Sequence, residues 1–113
     1  MRKQAIVRTM QGDMKVNARR VVLSALPERV FLLHENPTQD TGISKSWTVT
    51  DAISGVAIVN QWLANERQRD IIERANEAIK TRIPAGQTFD GVVKQYMKQH
   101  NLRPLRSNIK NFA

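Results

Sequence analysis

The sequence predicts an α+β domain: a small antiparallel sheet of four or five strands followed by two amphipathic helices packed on one face. Three observations lead there. Short runs rich in β-branched residues, separated by turn residues, fill the first sixty positions. Two segments with helical periodicity follow, over about 61–83 and 88–100. At 113 residues and 41% hydrophobic composition, the chain has the length of one domain and enough apolar side chains for a modest core. The domain is expected to span 1–103, with the sheet over 4–60. Residues 104–113 are expected to form a basic, extended or flexible tail.

The strands come first. Ala5 to Met10 (AIVRTM) gathers β-formers. Gln11-Gly12-Asp13 reads as a turn, with Gly12 supplying a positive φ. Met14, Val16 and Ala18 then alternate with Lys15, Asn17 and Arg19, the period of a half-buried strand. The alternation breaks at Arg19-Arg20, and a bulge or a new strand beginning at Val21 would account for the change of phase. Leu26-Pro27-Glu28-Arg29 reads as a turn, because Pro27 cannot donate to a ladder. Val30 to Leu33 (VFLL) is expected to be the most buried strand. Asn36 to Lys45 reads as a surface loop.

Two readings compete over the next stretch. Trp47 to Thr50 and Val56 to Val59 can form a hairpin around Ala52-Ile53-Ser54-Gly55. Alternatively, Ala52, Val56, Val59 and Leu63 fit one long helix over Asp51 to Ile83. Gly55 and the β-branched Val56, Ile58 and Val59 weigh against that helix, so the hairpin is preferred.

The first helix is expected from about Asn60, with Trp62, Ile71, Ile72, Ala75, Ala78 and Ile79 on its apolar side. Its outer side is expected to carry the pairs Glu66–Arg69, Arg69–Glu73, Asp70–Arg74 and Glu77–Lys80. Pro84-Ala85-Gly86 ends it. Thr88 is the expected N-cap of the second helix, whose apolar face is Phe89, Val92, Val93, Tyr96, Met97 and His100.

The net charge is +8, and it is unevenly placed. Residues 1–30 and 81–113 each carry +5, whereas the stretch between them is slightly acidic. Two basic stretches around such a middle make a patch if they meet in space. The absence of cysteine removes disulfides, thiolate catalysis and cysteine-based zinc sites. No apolar run approaches the ~20 residues of a membrane helix. MRKQAIVRTMQGD lacks the apolar stretch of a signal peptide, so a cytoplasmic protein without membrane association is expected.

His34 and His100 each close an apolar segment, which fits a boundary residue better than a catalyst. HxH and HExxH spacings, GxSxG, Walker A and GxGxxG are all missing. No catalytic residue, metal site or cofactor is therefore expected, and the protein is read as non-enzymatic. The expected function is binding nucleic acid, DNA or RNA, through its phosphate backbone. The residues expected to contact phosphate, or carboxylates of an acidic protein surface, are Lys15, Arg19, Arg20, Lys94, Lys98, Arg103 and Arg106. One alternative is an accessory protein of phage or plasmid type that inhibits a host nucleic-acid-processing or defence complex. Another is a subunit of a larger assembly. Nucleic-acid binding predicts that Arg19, Arg20, Lys94 and Lys98 share one surface. The protein-binding alternatives predict an exposed apolar patch beside them.

Overall fold

Among the described residues, five antiparallel strands run in the order of the sequence: β1 (Lys3–Thr9), β2 (Gly12–Val21), β3 (Phe31–Glu35), β4 (Trp47–Asp51) and β5 (Ala57–Asn60). Three helices follow: α1 (Gln68–Arg82), α2 (Phe89–Gln99) and α3 (Arg106–Phe112). The computed structural model describes residues 2–38 and 46–113. Most of the loop expected at Asn36 to Lys45 therefore lies outside the described residues.

The first hairpin pairs Thr9 with Gly12, so Met10 and Gln11 form its tip, one residue earlier than expected. Gly12 has a φ of 103°, which explains why glycine stands there. The Leu26–Arg29 turn closes through Arg29 N–H donating to the Leu26 carbonyl at 3.2 Å. β4 and β5 form the hairpin rather than a helix, with Gly55 at φ 72°.

The expected bulge at Arg19-Arg20 is absent. β2 pairs continuously with β3 from Ala18↔His34 to Val21↔Phe31. The phase changes because β2 passes between two cores. Val21, Leu23, Phe31, Leu33, Val49 and Val59 pack with Ile71, Ala75, Ala78 and Ile79 of α1 and Phe89 of α2. On the other side of the sheet, Ala5, Ala18 and Leu32 pack with Ala52 and with Phe112 of α3. The run VFLL is solidly apolar because β3 is buried on both faces.

The helices depart from expectation at three places. α1 starts at Gln68 rather than near 61. The Glu66 carboxylate accepts the Trp62 and Leu63 backbone N–H groups at 2.7 and 3.0 Å, folding that stretch into a turn and leaving Trp62 exposed. Asp70 reaches back to accept the Arg67 N–H at 2.9 Å, which marks the true start. Second, Arg74 bonds Glu66 across eight residues (2.8 Å), and the four expected one-turn pairs on α1 are not found among the described residues. α2 matches its expected span; Thr88 caps it by accepting the Gly91 N–H at 3.0 Å. Asn101, at φ 56°, ends it, with the Leu102 N–H donating to the Met97 carbonyl.

The third departure is the tail. Residues 106–112 are helical and bound to the sheet, not extended. The Leu105 N–H donates to the Ile53 carbonyl at 2.9 Å. Fully buried Asn108 takes the Ile6 N–H on its Oδ1 (2.9 Å) and donates from Nδ2 to the Ile6 and Ala52 carbonyls (2.8 and 2.9 Å). One amide side chain thus satisfies both backbone groups of Ile6 on the outer edge of β1, a place where an unpaired strand would otherwise invite another chain. The Arg8 N–H donates to the Gly55 carbonyl at 2.7 Å, so the sheet curls until its first strand touches the turn between its last two.

Candidate functional site

The two basic stretches of the chain meet at α3. The Lys3 Nζ donates to the Asn111 carbonyl at 2.9 Å, and the Arg20 Nη1 to the Phe112 carbonyl at 3.3 Å. Both cations cap carbonyls that have no acceptor-to-amide bond within a helix this short. Arg106 and Lys110, one turn apart on α3, are exposed. Lys3, Arg20, Arg106 and Lys110 therefore surround a helix about 10 Å long. Neither α3 nor β1 contains an acidic residue.

The remaining residues expected to form the site fall elsewhere. Arg19 and Arg20 lie on opposite faces of β2, since neighbouring strand residues alternate and pair with Leu33 and Leu32 respectively. Arg19 donates to the Gln68 Oε1 of α1 at 2.9 Å, and Lys15 is exposed on the same face of β2 as Arg19. Lys94 and Lys98 form, with Gln95 and Gln99, an exposed strip of α2. Arg103 is exposed in the connection to α3, and its carbonyl accepts the Arg8 Nη2 at 2.7 Å. The expected single surface of Arg19, Arg20, Lys94 and Lys98 is thus divided at β2, because a strand cannot turn two successive side chains the same way. Lys3 and Lys110 were missed. Leu105, Ile109 and Phe112, at i, i+4 and i+7 after Pro104, were the signal that could have found their helix.

Several charges counted in the sequence are taken up by the fold. Arg29 makes a two-pronged pair with buried Asp51 (2.7 and 3.0 Å), also pairs with Asp90, and lies 4.8 Å over the Phe89 ring. Burial by itself would lower the Arg29 pKa, but the bonds and charges of Asp51 and Asp90 raise it above the ordinary value. Burial likewise acts to raise the Glu66 pKa. The Trp62 and Leu63 amides and the Arg74 guanidinium outweigh it and hold the carboxyl below its usual range. Arg8 lies 3.8 Å from Asp13.

Trp62 (68% exposed) and Leu63 (62% exposed) stand side by side in the turn before α1, with Arg74 4.4 Å over the Trp62 ring. Among the described residues, no group of three His, Asp or Glu side chains could hold a metal ion, and no helix is long and apolar enough to cross a membrane. Comparison with family models, curated proteins and solved structures returns no match.

Proposed function

We propose that this protein is a non-catalytic binder of nucleic acid whose contact surface is the basic ring around α3. The observation that supports this reading is the meeting of both basic stretches at one short helix without a carboxylate of its own. Lys3, Arg20, Arg106 and Lys110 would neutralise backbone phosphates and release counterions, which gives affinity without reading bases. Arg103 adjoins this surface in sequence. Lys15, Arg19, Lys94 and Lys98 take no part in the contact under this reading.

The test is fluorescence anisotropy with labelled single-stranded DNA, duplex DNA and duplex RNA over a range of salt. Binding tighter than ~10⁻⁶ M at physiological salt, with a preference among the three, is the expected result. Arg106→Ala with Lys110→Ala should flatten the plot of log affinity against log salt by about 2 units, whereas Lys15→Ala should leave it unchanged. Equal, weak binding to all three that salt abolishes would defeat the reading.

A second reading has its own observation. Trp62 and Leu63 are an exposed apolar pair beside exposed Arg67 and Arg69, suited to an acidic protein surface such as that of a nucleic-acid-processing complex or a larger assembly. Absence of nucleic-acid binding, together with association with an acidic polypeptide that is lost in Trp62→Ala/Leu63→Ser but retained in Arg106→Ala/Lys110→Ala, would move the assignment to this surface.

A further inference from the structure

The turn between β5 and α1 displays an indole that helical periodicity would have placed among apolar residues. Trp62 is 68% exposed, and Leu63 beside it is 62% exposed. Polar side chains hold the pair in this position. The Glu66 carboxylate accepts the Trp62 and Leu63 N–H groups. Buried Gln61 donates from Nε2 to the Leu63 carbonyl at 2.8 Å, and its Oε1 accepts the Trp47 N–H at 3.0 Å. Arg74 donates to Glu66 and, at 2.6 Å, to the Asn60 carbonyl. The same guanidinium lies 4.4 Å over the Trp62 ring. The indole is thus fixed at its backbone and on one face, while the rest of the ring meets solvent. A side chain ordered beforehand loses less entropy on binding, and tryptophan is enriched where binding energy concentrates.

The charges around the turn are unequally committed. Glu66 is held by Arg74 and two amides, and Asp70 accepts the Arg67 N–H at 2.9 Å. The Arg67 guanidinium is exposed, two helical turns before Arg74 and on the same side of α1. Exposed Arg2 lies 5.4 Å over the Trp47 ring, and the Trp47 carbonyl accepts the Gln61 N–H at 2.8 Å. Exposed Glu35 stands opposite Trp47 in register and offsets Arg2, so Arg67 is the cation the turn offers to an anion. The turn leads into α1 on one side of the sheet, and the basic ring surrounds α3 on the other. A duplex is stiff over ~150 bp and keeps its bases paired and stacked, so it meets one of these surfaces at a time. A single strand bends around the sheet and carries free bases.

We propose that Trp62 is the stacking platform for an unpaired base of a single-stranded nucleic acid, with a neighbouring phosphate on Arg67. This role rests on the nucleic-acid reading above and commits its substrate to a single strand. A flat base covers the solvent side of an exposed indole without needing a pocket, and it continues the stack that Arg74 begins on the other face. Every base has such a face, so the platform selects strandedness and not sequence. The net charge of +8 disfavours a second copy of the chain as the occupant.

The experiment follows indole emission and binding as the protein is titrated with an oligothymidylate of about ten nucleotides, its duplex with the complement, polyphosphate and polyglutamate. The single strand should quench the emission as it binds, and the duplex should not. Trp62 lies outside both cores, so replacing it spares the fold. Trp62→Ala should weaken single-strand binding at least ~5-fold and duplex binding less than ~2-fold, and Trp62→Phe should recover part of the loss. Arg106→Ala/Lys110→Ala should lower the affinity and keep the quenching at saturation. Single-strand binding without quenching, unchanged affinity in Trp62→Ala, or an equal loss for the duplex or polyphosphate would overturn the platform and leave the basic ring in place. Quenching by polyglutamate alone would overturn it in favour of an acidic protein partner. Failure to bind any of the nucleic acids would remove the platform and the ring together.

Discussion

Arg29 shows at the scale of a residue why a charge count is a poor guide to a surface. It adds to the positive excess of the first thirty positions, yet its guanidinium is held between Asp51 and Asp90 and stacked on Phe89. Removing Asp51 leaves Arg29 with only the exposed Asp90, and removing Arg29 leaves buried Asp51 without its cation. Asp51→Asn should therefore cost about 3–5 kcal/mol, while Arg29→Met with Asp51→Leu should cost clearly less than the sum of its single changes. Urea unfolding of the unmutated protein, the three single variants and the double variant decides this, and additive losses for Arg29→Met and Asp51→Leu would count against the pair as the source. His34 provides the second residue-scale prediction. Its folded pKa lies below its unfolded value, so below about pH 6.5 the unfolded chain takes up a proton that the folded one resists. Stability should fall as pH drops from 7.5 toward 5.5. His34→Gln should show a flatter dependence across that window, and an equally steep one would remove His34 as the cause.

At the scale of elements, α3 is made by its contacts. Seven residues, two of them asparagine, are too few and too weak in propensity to hold a helix alone. Leu105, Asn108 and Phe112 hold it, the first by a backbone bond to Ile53, the second by three bonds to backbone groups of Ile6 and Ala52, the third by packing on Leu32 and Ala18. Asn108→Ala strands those backbone groups and should cost roughly 2–3 kcal/mol. Hydrogen exchange gives the sharper check: the Ile6 amide should lose its protection in this variant while the Val49 amide keeps most of its own. The place of Gly55 depends on the same docking. A Cβ there would lie 2.5 Å from the Leu105 Cδ1, in a backbone conformation that already favours glycine.

For the whole molecule, the sheet is a shared wall between two cores of unequal size. Leu32 and Leu33 are adjacent in sequence, yet one faces α3 and the other α1. Leu32→Val and Leu33→Val should each cost roughly 1–2 kcal/mol. Exchange rates should separate them, with α3 amides accelerated by the first and α1 amides by the second. Equal acceleration of both helices in both variants would mean that the two cores open as one unit.

How much of this was legible beforehand follows from the range of the forces involved. The α+β class, the first hairpin, the hairpin at Gly55, the central place of VFLL and the second helix with its Thr88 cap are all written in the sequence. Each depends on local backbone preference or on periodicity over fewer than about fifteen residues. The start of α1 was misplaced because Glu66 captures two amides ahead of it, an option that competes with helix over the same residues. The phase break at Arg19-Arg20 was visible, but its cause was a second core that only α3 completes. The candidate site was legible as charge and not as place. Composition put an excess of cations in two stretches of chain. Only the fold decided that Lys3 and Arg20 meet α3, that Arg19 turns to the opposite face, and that Arg29 is drawn in against buried Asp51. Which side chains share a surface depends on contacts a hundred residues apart, and local physics carries no record of them.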